Sequence, residues 1–532
     1  MAKRIEIYDT TLRDGMQREG MSVSVDEKVQ IALRLDRLGV HYIEGGFPGS
    51  NPKDVEFYQK MAGHRLRTAR LAAFGMTHRK DLTPAKDPMV RELLKVNTPV
   101  VAIVGKSWKL HTVKVLRVSL HENLKLISST VGYLAKKGRE VFFDAEHFFD
   151  GFRDDREYAL QTLREAVEGG AARLVLCDTN GATLPGEAAE MVRAVRREFP
   201  EVPVGIHAHN DSDCAVAVSL MAVEAGATQV QGTVNGYGER CGNANLISVV
   251  PALKLKMGLD CVTDRRLAEL TETSHYVAEV VNVSPETHQP YVGENAFAHK
   301  GGLHVSAALR DARTFEHVDP ALVGNKQRIL VSELAGRATV LKKAAEMGID
   351  LTGDRDKETL GRLLKRLKEK EHAGYHYEVA DASFELFLRR ELGLHKPIIE
   401  LDNFRVIVQK RKSAVISEAK IVLKGNGGGE LPIAFSEGNG PVNALDIALR
   451  KLLPSRFPKL VDELSRIHLV NYKVRILNEH KGTGAVTRVL LDSSDGQDTW
   501  GTIGVSENII EASWEALVDS IEYGMVKRHR RR

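Results

Sequence analysis

The chain has few cysteines and no long apolar segment. Its four cysteines, at positions 177, 214, 241 and 261, form no CxxC pair, which argues against a disulfide-stabilised secreted protein. No apolar run approaches the roughly 18 residues that a transmembrane helix needs, and Met1-Ala2-Lys3-Arg4 leads directly into a strand pattern in place of a signal peptide. We therefore expect a cytoplasmic protein with reduced thiols and no membrane partner.

The chain also lacks a strong excess of charge of either sign. Lys and Arg total 75 and Asp and Glu total 71, and the resulting charge of +4 is close to that of the last six residues, 527–532. A nearly neutral body excludes the broad basic surface of a nucleic-acid-binding protein. At 532 residues the chain is too long for one compact core, and we predict three regions, 1–270, 271–402 and 403–532.

From residue 4 to about residue 258, β-rich apolar runs alternate with amphipathic helical stretches eight times. Eight repeats predict an α/β fold of the (β/α)8 TIM-barrel type. A doubly wound open sheet would also alternate strands with helices, but it gives no reason for stopping at eight. The predicted strands are Arg4–Tyr8, Tyr42–Gly45, Arg70–Phe74, Val100–Val104, Glu140–Asp144, Arg173–Cys177, Val202–Ile206 and Gln229–Thr233.

Polar motifs follow nearly every predicted strand, at the end of a barrel where active sites lie. The motif His207-Ala208-His209 follows strand 7, and because residues i and i+2 of a strand project from the same face, both imidazoles can reach one point. Solvated histidines and turns rich in Asp, Asn and Gly are the alternative explanation. The other motifs lie at Asp9–Gln17, Glu44–Gly49, Gly105–Ser107, Asp144–His147, Asp178–Gly181 and Asn235–Asn243.

These side chains predict a divalent metal site. His207, His209 and Asp14 supply two nitrogens and one oxygen, and the amide oxygen of Asn243 would complete a four-ligand set with positions left open. An ion such as Mg²⁺, Mn²⁺ or Zn²⁺ with two open positions can chelate a 2-oxo acid and polarise its carbonyl group. The sequence does not choose among these metals.

Arg13 and Glu44 are predicted to assist at the same site. Arg13 is adjacent to Asp14 and is placed to neutralise the oxyanion that forms when a carbon nucleophile attacks the carbonyl group. Glu44 either holds Arg13 by a salt bridge or is an ordinary strand-end carboxylate.

Acid and base groups are also available. Glu146 is the best-placed further carboxylate, and His304 is the best imidazole outside the metal pair. Together they could remove a C–H proton from an acyl thioester and assist its hydrolysis. His299 and His147 compete for the same role, and spacing does not rank them.

The part of the chain after the barrel is predicted to be helical and then β-rich. We expect a helix at Thr271–Asn282, a loop-rich segment at Pro290–Leu309, and helices at Glu333–Met347 and Lys357–Lys370. From residue 403 a βββα pattern occurs twice, about seventy residues apart. Such a duplicated α+β module binds a small effector, packs as a dimer or is a plain structural appendage. Its predicted elements are Phe404–Gln409, Val415–Leu423, Leu431–Ser436, Val442–Leu453, Leu469–Leu477, Ala485–Leu491, Thr499–Val505 and Ile509–Ile521.

Several motifs occur together in this chain: Asp9–Gly15, His207–Asp211, Gly238–Asn243 and Phe297–His304, with Gly438–Val442 in the duplicated module. In combination they resemble the 2-isopropylmalate, homocitrate and citramalate synthase family over nearly the whole chain. The resemblance implies a metal-dependent Claisen-type condensation of acetyl-CoA with a 2-oxo acid, followed by thioester hydrolysis. It also implies a C-terminal regulatory domain, a homodimer and an amino-acid effector.

The resemblance assigns roles to matching positions. Asp14, His207, His209 and Asn243 would hold the metal. Thr179 would contact the substrate carboxylate, and Arg13 would stabilise the oxyanion. Glu146 and His304 would share the acid and base work. Phe315 departs from the family pattern, since relatives often carry a tyrosine in this stretch.

Within the family, Glu44–Asp54 and Asp144–Gly151 are most similar to the longer citramalate synthases, which use pyruvate and serve isoleucine synthesis. 2-Isopropylmalate and homocitrate synthase activities remain alternatives. A metal-dependent acyl-CoA lyase or aldolase is more distant, because lyases of this barrel type usually lack the duplicated module. A non-catalytic scaffold would require the loss of a ligand, and none of the four is missing.

Overall fold

A computed structural model describes residues 4–331, 336–351, 356–412, 414–424 and 431–531. The described residues form two compact units. One lies within Met1–Phe297 and His317–Gln327, and the other within Ala298–Glu316 and Arg328–Arg532. The division at residues 270 and 402 that we predicted from the sequence stays a prediction. No helix in the described ranges is long and apolar enough to cross a membrane.

The first unit is a closed barrel of eight parallel strands. The strand β1 pairs with both β2 and β8, so the sheet has no edge and the open-sheet alternative is wrong. The predicted barrel is therefore confirmed. The strands, β1 to β8, are Glu6–Asp9, Tyr42–Glu44, Arg70–Met76, Val100–Lys106, Glu140–Glu146, Arg173–Asp178, Val204–Ala208 and Gln229–Gly232.

Successive side chains of each strand point alternately into the barrel and toward the helices, so this unit has two separate cores. Phe142 of β5 belongs to a small buried cluster with Tyr8, Tyr42 and other residues that point into the barrel. The next residue, Phe143, packs in the larger core between strands and helices. The rings of Tyr8, Tyr42 and Phe142 contact one another inside the barrel, and the candidate site lies beyond them at the carboxyl ends of the strands.

Local capping signals mark where the first barrel helix begins and ends. The first helix begins after Ser24, whose side chain accepts from the backbone of Glu27, and ends at Gly39 in the left-handed region. We did not predict the helices Pro88–Lys95 and Phe148–Asp154 or the π-helical stretch His111–Leu116. The helices of this unit are Val25–Leu38, Pro52–Met61, Pro88–Lys95, Leu120–Lys136, Phe148–Asp154, Arg156–Glu168, Pro185–Glu198, Ala215–Glu224, Leu246–Pro251, Asp264–Leu267 and Leu270–Val280.

The second unit begins with a short parallel pair, β9 (Ala298–His299) and β10 (Arg328–Ile329). The expectation of a loop over Pro290–Leu309 is wrong in its second half, where Gly302–Arg310 is a helix. Part of the predicted helix Glu333–Met347 lies outside the described residues, and its described part is Arg337–Glu346. The helices Asp356–His372 and Asp381–Glu391 follow.

The duplicated βββα pattern is present at the end of this unit. Strands β11 to β13 form one antiparallel sheet, and β14 to β16 form another. Each sheet is followed in sequence by its own helix, which packs on it. The elements are Leu401–Arg411, Ala414–Leu423 and Ile433–Gly438 with helix Pro441–Arg456, and His468–Ile476, Thr487–Ser494 and Thr499–Ser506 with helix Ile509–Arg531.

Candidate metal and substrate site

The carboxyl ends of β1 and β7 bring three potential metal ligands together. Asp14 Oδ2 lies 3.2 Å from His207 Nε2 and 3.8 Å from His209 Nε2. All three residues are buried, and their ligand atoms lie within 4.8 Å of one another. His207 is in β7 and His209 follows it, so the alternation of strand side chains directs both rings to one side.

The turn that carries Asp14 is fixed to the barrel. The buried Asp9 carboxylate accepts from the backbone N–H of Thr11 at 2.9 Å. The hydroxyl oxygen of Thr11 in turn accepts from the backbone N–H of Val234, beyond β8, at 2.8 Å. These contacts join the two loops on either side of the β1–β8 seam, so Asp14 is held by rigid backbone.

Hydrogen bonds orient the two imidazoles differently. His207 Nδ1 lies 3.0 Å from Gln231 Oε1, which can only accept, so Nδ1 carries a proton and Nε2 is the nitrogen directed at Asp14 and available to a metal that displaces that contact. His209 Nδ1 lies 3.0 Å from Arg240 Nη2, which can only donate. A metal at His209 Nε2 therefore requires the ring proton to leave that nitrogen and the Arg240 contact to change.

Asn243 supplies a fourth oxygen beside the cluster. It pairs with His209 through a backbone bridge. Its Nδ2 donates to the carbonyl oxygen of Tyr237 at 3.1 Å, while its Oδ1 is buried without a hydrogen-bond partner among the described residues. Gly238 has a φ of +152°, and a Cβ there would lie 2.2 Å from Asn243 Nδ2. The loop therefore needs this glycine to present an unpartnered oxygen, and the donor set suits a divalent cation.

The charges at the site keep Asp14 ionised and His209 neutral, whereas His207 is pulled the other way: burial lowers its pKa, but the contact with Asp14 outweighs burial and raises it. Burial opposes ionisation of Asp14, but Arg13 and then His207 outweigh it and hold the pKa of Asp14 well below its usual range. Burial, together with the neighbouring His207, lowers the pKa of His209 to about 4. An ionised carboxylate and a neutral imidazole are the protonation states that bind metal.

Arg13 is held rigidly next to the metal ligands. Its Nε forms an ion pair with the fully buried Glu44, and its Nη1 lies 3.2 Å from Asp14 Oδ2. Its guanidinium stacks over the ring of Phe74, 4.0 Å from the centroid. Glu44 also accepts a hydrogen bond of 2.6 Å from the Tyr8 hydroxyl. This network fixes the position of the guanidinium and leaves its Nη2 group outside these ion pairs.

Glu146 and Thr179 lie at the ends of neighbouring strands. The Thr179 hydroxyl oxygen accepts from the backbone N–H of His147 at 2.9 Å, so its own proton is available to a ligand. Glu146 forms an ion pair with Lys106 of β4. His147 Nδ1 lies 3.3 Å from Asp150, and its ring is 4.0 Å from that of His111.

His304 and His299 belong to the second unit. The exposed His304 ring stacks on Phe315, with 4.2 Å between centroids. His299 Nε2 lies 3.1 Å from Glu316 Oε1. Phe315, the residue that departs from the family pattern, is therefore a packing partner of His304.

Sequence reasoning missed Lys106, Gln231 and Arg240. Lys106 and Gln231 lie on barrel strands, and only the strand register shows that they face Glu146 and His207. Arg240 lies in the loop after β8, and only the folded loop shows that it contacts His209. The alternation of side chains along β8 could have indicated Gln231, because neighbouring residues such as Gln231 and Gly232 face opposite sides of the strand. Lys106 was noted only as part of a strand-end motif.

Comparisons with known proteins show what this chain is similar to. A family described as HMGL-like matches residues 4–277, a homocitrate synthase post-HMGL domain-like family matches 291–372, and a LeuA allosteric (dimerisation) domain matches 378–525. The chain is 51% identical over 529 residues to an (R)-citramalate synthase of Aquifex aeolicus, covering 99% of each chain. It is 50% identical to an (R)-citramalate synthase of Geobacter sulfurreducens, covering 98% of each. A 2-isopropylmalate synthase of Pyrococcus furiosus is 33% identical, covering 98% of this chain and 99% of that one.

Proposed function

The chain belongs to the (R)-citramalate synthase family, and from this membership we propose that it condenses acetyl-CoA with pyruvate and water to give (R)-citramalate and CoA. It is an acyl-transferring enzyme. The observation that carries the proposal at the site is the buried Asp14, His207 and His209 cluster with Arg13 in contact with Asp14. Similarity favours pyruvate, since the 2-isopropylmalate synthases are only 32 to 35% identical to this chain.

Asp14, His207, His209 and Asn243 would hold a divalent cation. When bound, the cation supplies a Lewis acid that chelates the 2-oxo acid and polarises its keto group. Burial of the ligands excludes water from the cluster and strengthens each electrostatic contact.

Arg13 stabilises the charge that develops on the keto oxygen. Its ion pairs with described residues use Nε and Nη1, which leaves Nη2 to donate to that oxygen. Because Glu44 and Phe74 hold the guanidinium in place, little reorganisation is needed when the charge forms. The Thr179 hydroxyl donates to the carboxylate of the 2-oxo acid.

Glu146 and His304 carry out the proton transfers. A carboxylate base removes a proton from the acetyl methyl group, the carbon attacks the keto carbon of pyruvate, and the keto oxygen takes up the electron pair and then a proton. Water subsequently attacks the thioester carbonyl, which releases CoA as the thiol and leaves a carboxylate.

The test is release of free CoA from acetyl-CoA with pyruvate, 2-oxoisovalerate and 2-oxoglutarate in parallel. We expect kcat/KM to be highest with pyruvate by at least about tenfold, because extra methyl groups are poorly accommodated in a closed pocket. A preference for 2-oxoisovalerate would instead support 2-isopropylmalate synthesis.

The C-terminal module is proposed to bind an amino-acid effector, with isoleucine as the expected end product. A cavity of about 370 Å³ lies between the two βββα repeats. Its walls include Val442, Leu469 and Ile521, which would contact an aliphatic side chain. Asp446 and Arg450 also line it and are paired at 2.9 Å, so they offer a charge of each sign to an amino acid.

The loop before helix Pro441–Arg456 also forms part of the cavity wall, through Asn439, Gly440 and Pro441. We also propose a homodimer, supported by the match to a domain described as dimerisation, and a cytoplasmic location, supported by four free cysteines.

A further inference from the structure

Lys106 and Glu146 form a fixed pair at the mouth of the barrel. They end the neighbouring parallel strands β4 and β5 and are register partners. The backbone N–H of Ser107 donates to the carbonyl oxygen of Glu146 at 3.1 Å. The Lys106 ammonium forms an ion pair with Glu146 Oε2. Backbone pairing therefore sets the separation of the two side chains.

The backbone of Lys106 is also held from outside the barrel. The Asn123 side chain in helix Leu120–Lys136 donates to the carbonyl oxygen of Lys106 at 2.8 Å and lies 2.9 Å from the Tyr158 hydroxyl. Asn123 is fully buried. Lys106 is thus a lysine on rigid backbone, unlike one on a mobile surface loop.

The pair is partly shielded from water and faces the catalytic interior. The Lys106 and Glu146 side chains are 16% and 22% exposed, so their attraction is stronger than that of a surface pair. Burial is the main cause of the raised pKa of the inward-facing Cys177 thiol. The charges of Asp144 and Glu146 raise this pKa further, while Arg13 opposes them. Glu146 is also in phase with Phe142 of β5, which points into the barrel, so its side chain leaves the strand on the inner side.

Lys106 is also the ion-pair partner on which Glu146 depends. Among the described residues, no other lysine, arginine or histidine forms an ion pair with the Glu146 carboxylate within 4.0 Å. Without this cation the carboxylate loses the contact that fixes its orientation and can turn toward water. Such a turn would remove the group as a base.

We propose that Lys106 is a positioning residue for Glu146, keeping its carboxylate directed toward the acetyl methyl group. The inference rests on the acid and base role proposed for Glu146 and adds the residue that makes this role possible. Lys106 acts through Glu146 and is not required to touch either substrate.

The experiment is a double-mutant cycle with Lys106→Met, Glu146→Gln and the combined variant. The readouts are kcat, KM for each substrate, and exchange of the acetyl methyl protons with deuterated solvent. We expect Lys106→Met to reduce kcat and exchange about 10- to 100-fold, the scale of a misplaced catalytic group. KM for pyruvate should change less than about twofold, and Lys106→Arg should recover most of the activity. In the Glu146→Gln background, Lys106→Met should have almost no further effect.

A matched control is Lys109→Met. Lys109 follows Lys106 closely in the chain and forms its own ion pair, with Asp155. Its side chain is 37% exposed. This variant should keep kcat within about twofold, since exposed pairs contribute little. Metal content and thermal unfolding of each variant separate a local effect from misfolding.

The outcomes distinguish three failures. Independent, additive effects of the two substitutions would overturn the positioning role, and a raised KM for pyruvate would make Lys106 a substrate ligand instead. Full activity of Glu146→Gln would overturn both the base assignment and the role of Lys106. An unaltered protein that forms no citramalate would contradict the proposed function itself.

Discussion

Gln231 Oε1 accepts a hydrogen bond of 3.0 Å from His207 Nδ1 and so determines which nitrogen of that ring faces Asp14. Gln231 lies in β8 and His207 in β7, and the two residues are register partners. The strand pairing that closes the barrel therefore also prepares a metal ligand.

Gln231→Leu should weaken metal binding by about 10- to 100-fold, the usual cost of removing a partner that orients a ligand. The measurement is metal affinity by competition with a chromogenic chelator. Gln229→Leu is the matched control, because the side-chain N and O of Gln229 have no hydrogen-bond partner in the described chain. Equal losses in both variants would show that the effect comes from packing.

Arg13→Ala should lower kcat by about 10²- to 10³-fold while metal content stays near normal, because the guanidinium acts on developing charge and is not a ligand. Arg37→Ala is a suitable control, since Arg37 pairs with Glu269 and is 60% exposed. Loss of metal with Arg13→Ala would assign Arg13 to the integrity of the site and not to oxyanion stabilisation.

The barrel and its polar mouth could be predicted because both depend on local periodicity. The alternation in Val204–Ala208 places His207 and His209 on one side in any parallel barrel. The pairing of Lys106 with Glu146 could not be predicted, because it depends on the register between two strands. The helix Gly302–Arg310 was missed because its first turn contains Gly302 and an exposed Leu303, so its apolar face is short. It packs on Arg337–Glu346, which local sequence does not reveal.

Stability should fall in mildly acidic solution because of His41. The buried His41 Nδ1 accepts from the backbone N–H of Ile7 at 3.0 Å, and burial, with help from Arg4, lowers its pKa to about 4. The unfolded chain takes up the proton near the ordinary histidine pKa of 6.5, so the free energy of unfolding decreases as pH falls from 6.5 to 4 and levels off below.

His41→Asn tests this dependence. Asn can still accept from Ile7 but does not titrate. In the variant, the slope of the free energy of unfolding against pH should therefore be smaller by up to about 1.4 kcal/mol per pH unit between pH 4 and 6.5. Urea unfolding of both proteins from pH 7 to pH 4 gives the difference. Parallel curves would show that His41 is not responsible.

Arg450→Met should abolish or strongly weaken inhibition by isoleucine and leave uninhibited kcat within about twofold, since an effector acts only through its differential affinity for two states. Arg475→Met is the control, because Arg475 is exposed on β14 and does not line the cavity. Inhibition curves with isoleucine and leucine provide the measurement. Unchanged inhibition in Arg450→Met would place the effector elsewhere, and inhibition by leucine alone would favour 2-isopropylmalate synthesis.

The most direct test of the central claim is product analysis in a mixture of acetyl-CoA with equal concentrations of pyruvate, 2-oxoisovalerate and 2-oxoglutarate. We expect (R)-citramalate as the main product, equimolar with CoA. Its formation should stop when a chelator removes the metal and recover when a divalent cation is restored. Formation of 2-isopropylmalate or homocitrate as the main product, or undiminished citramalate formation by metal-free protein, would contradict it.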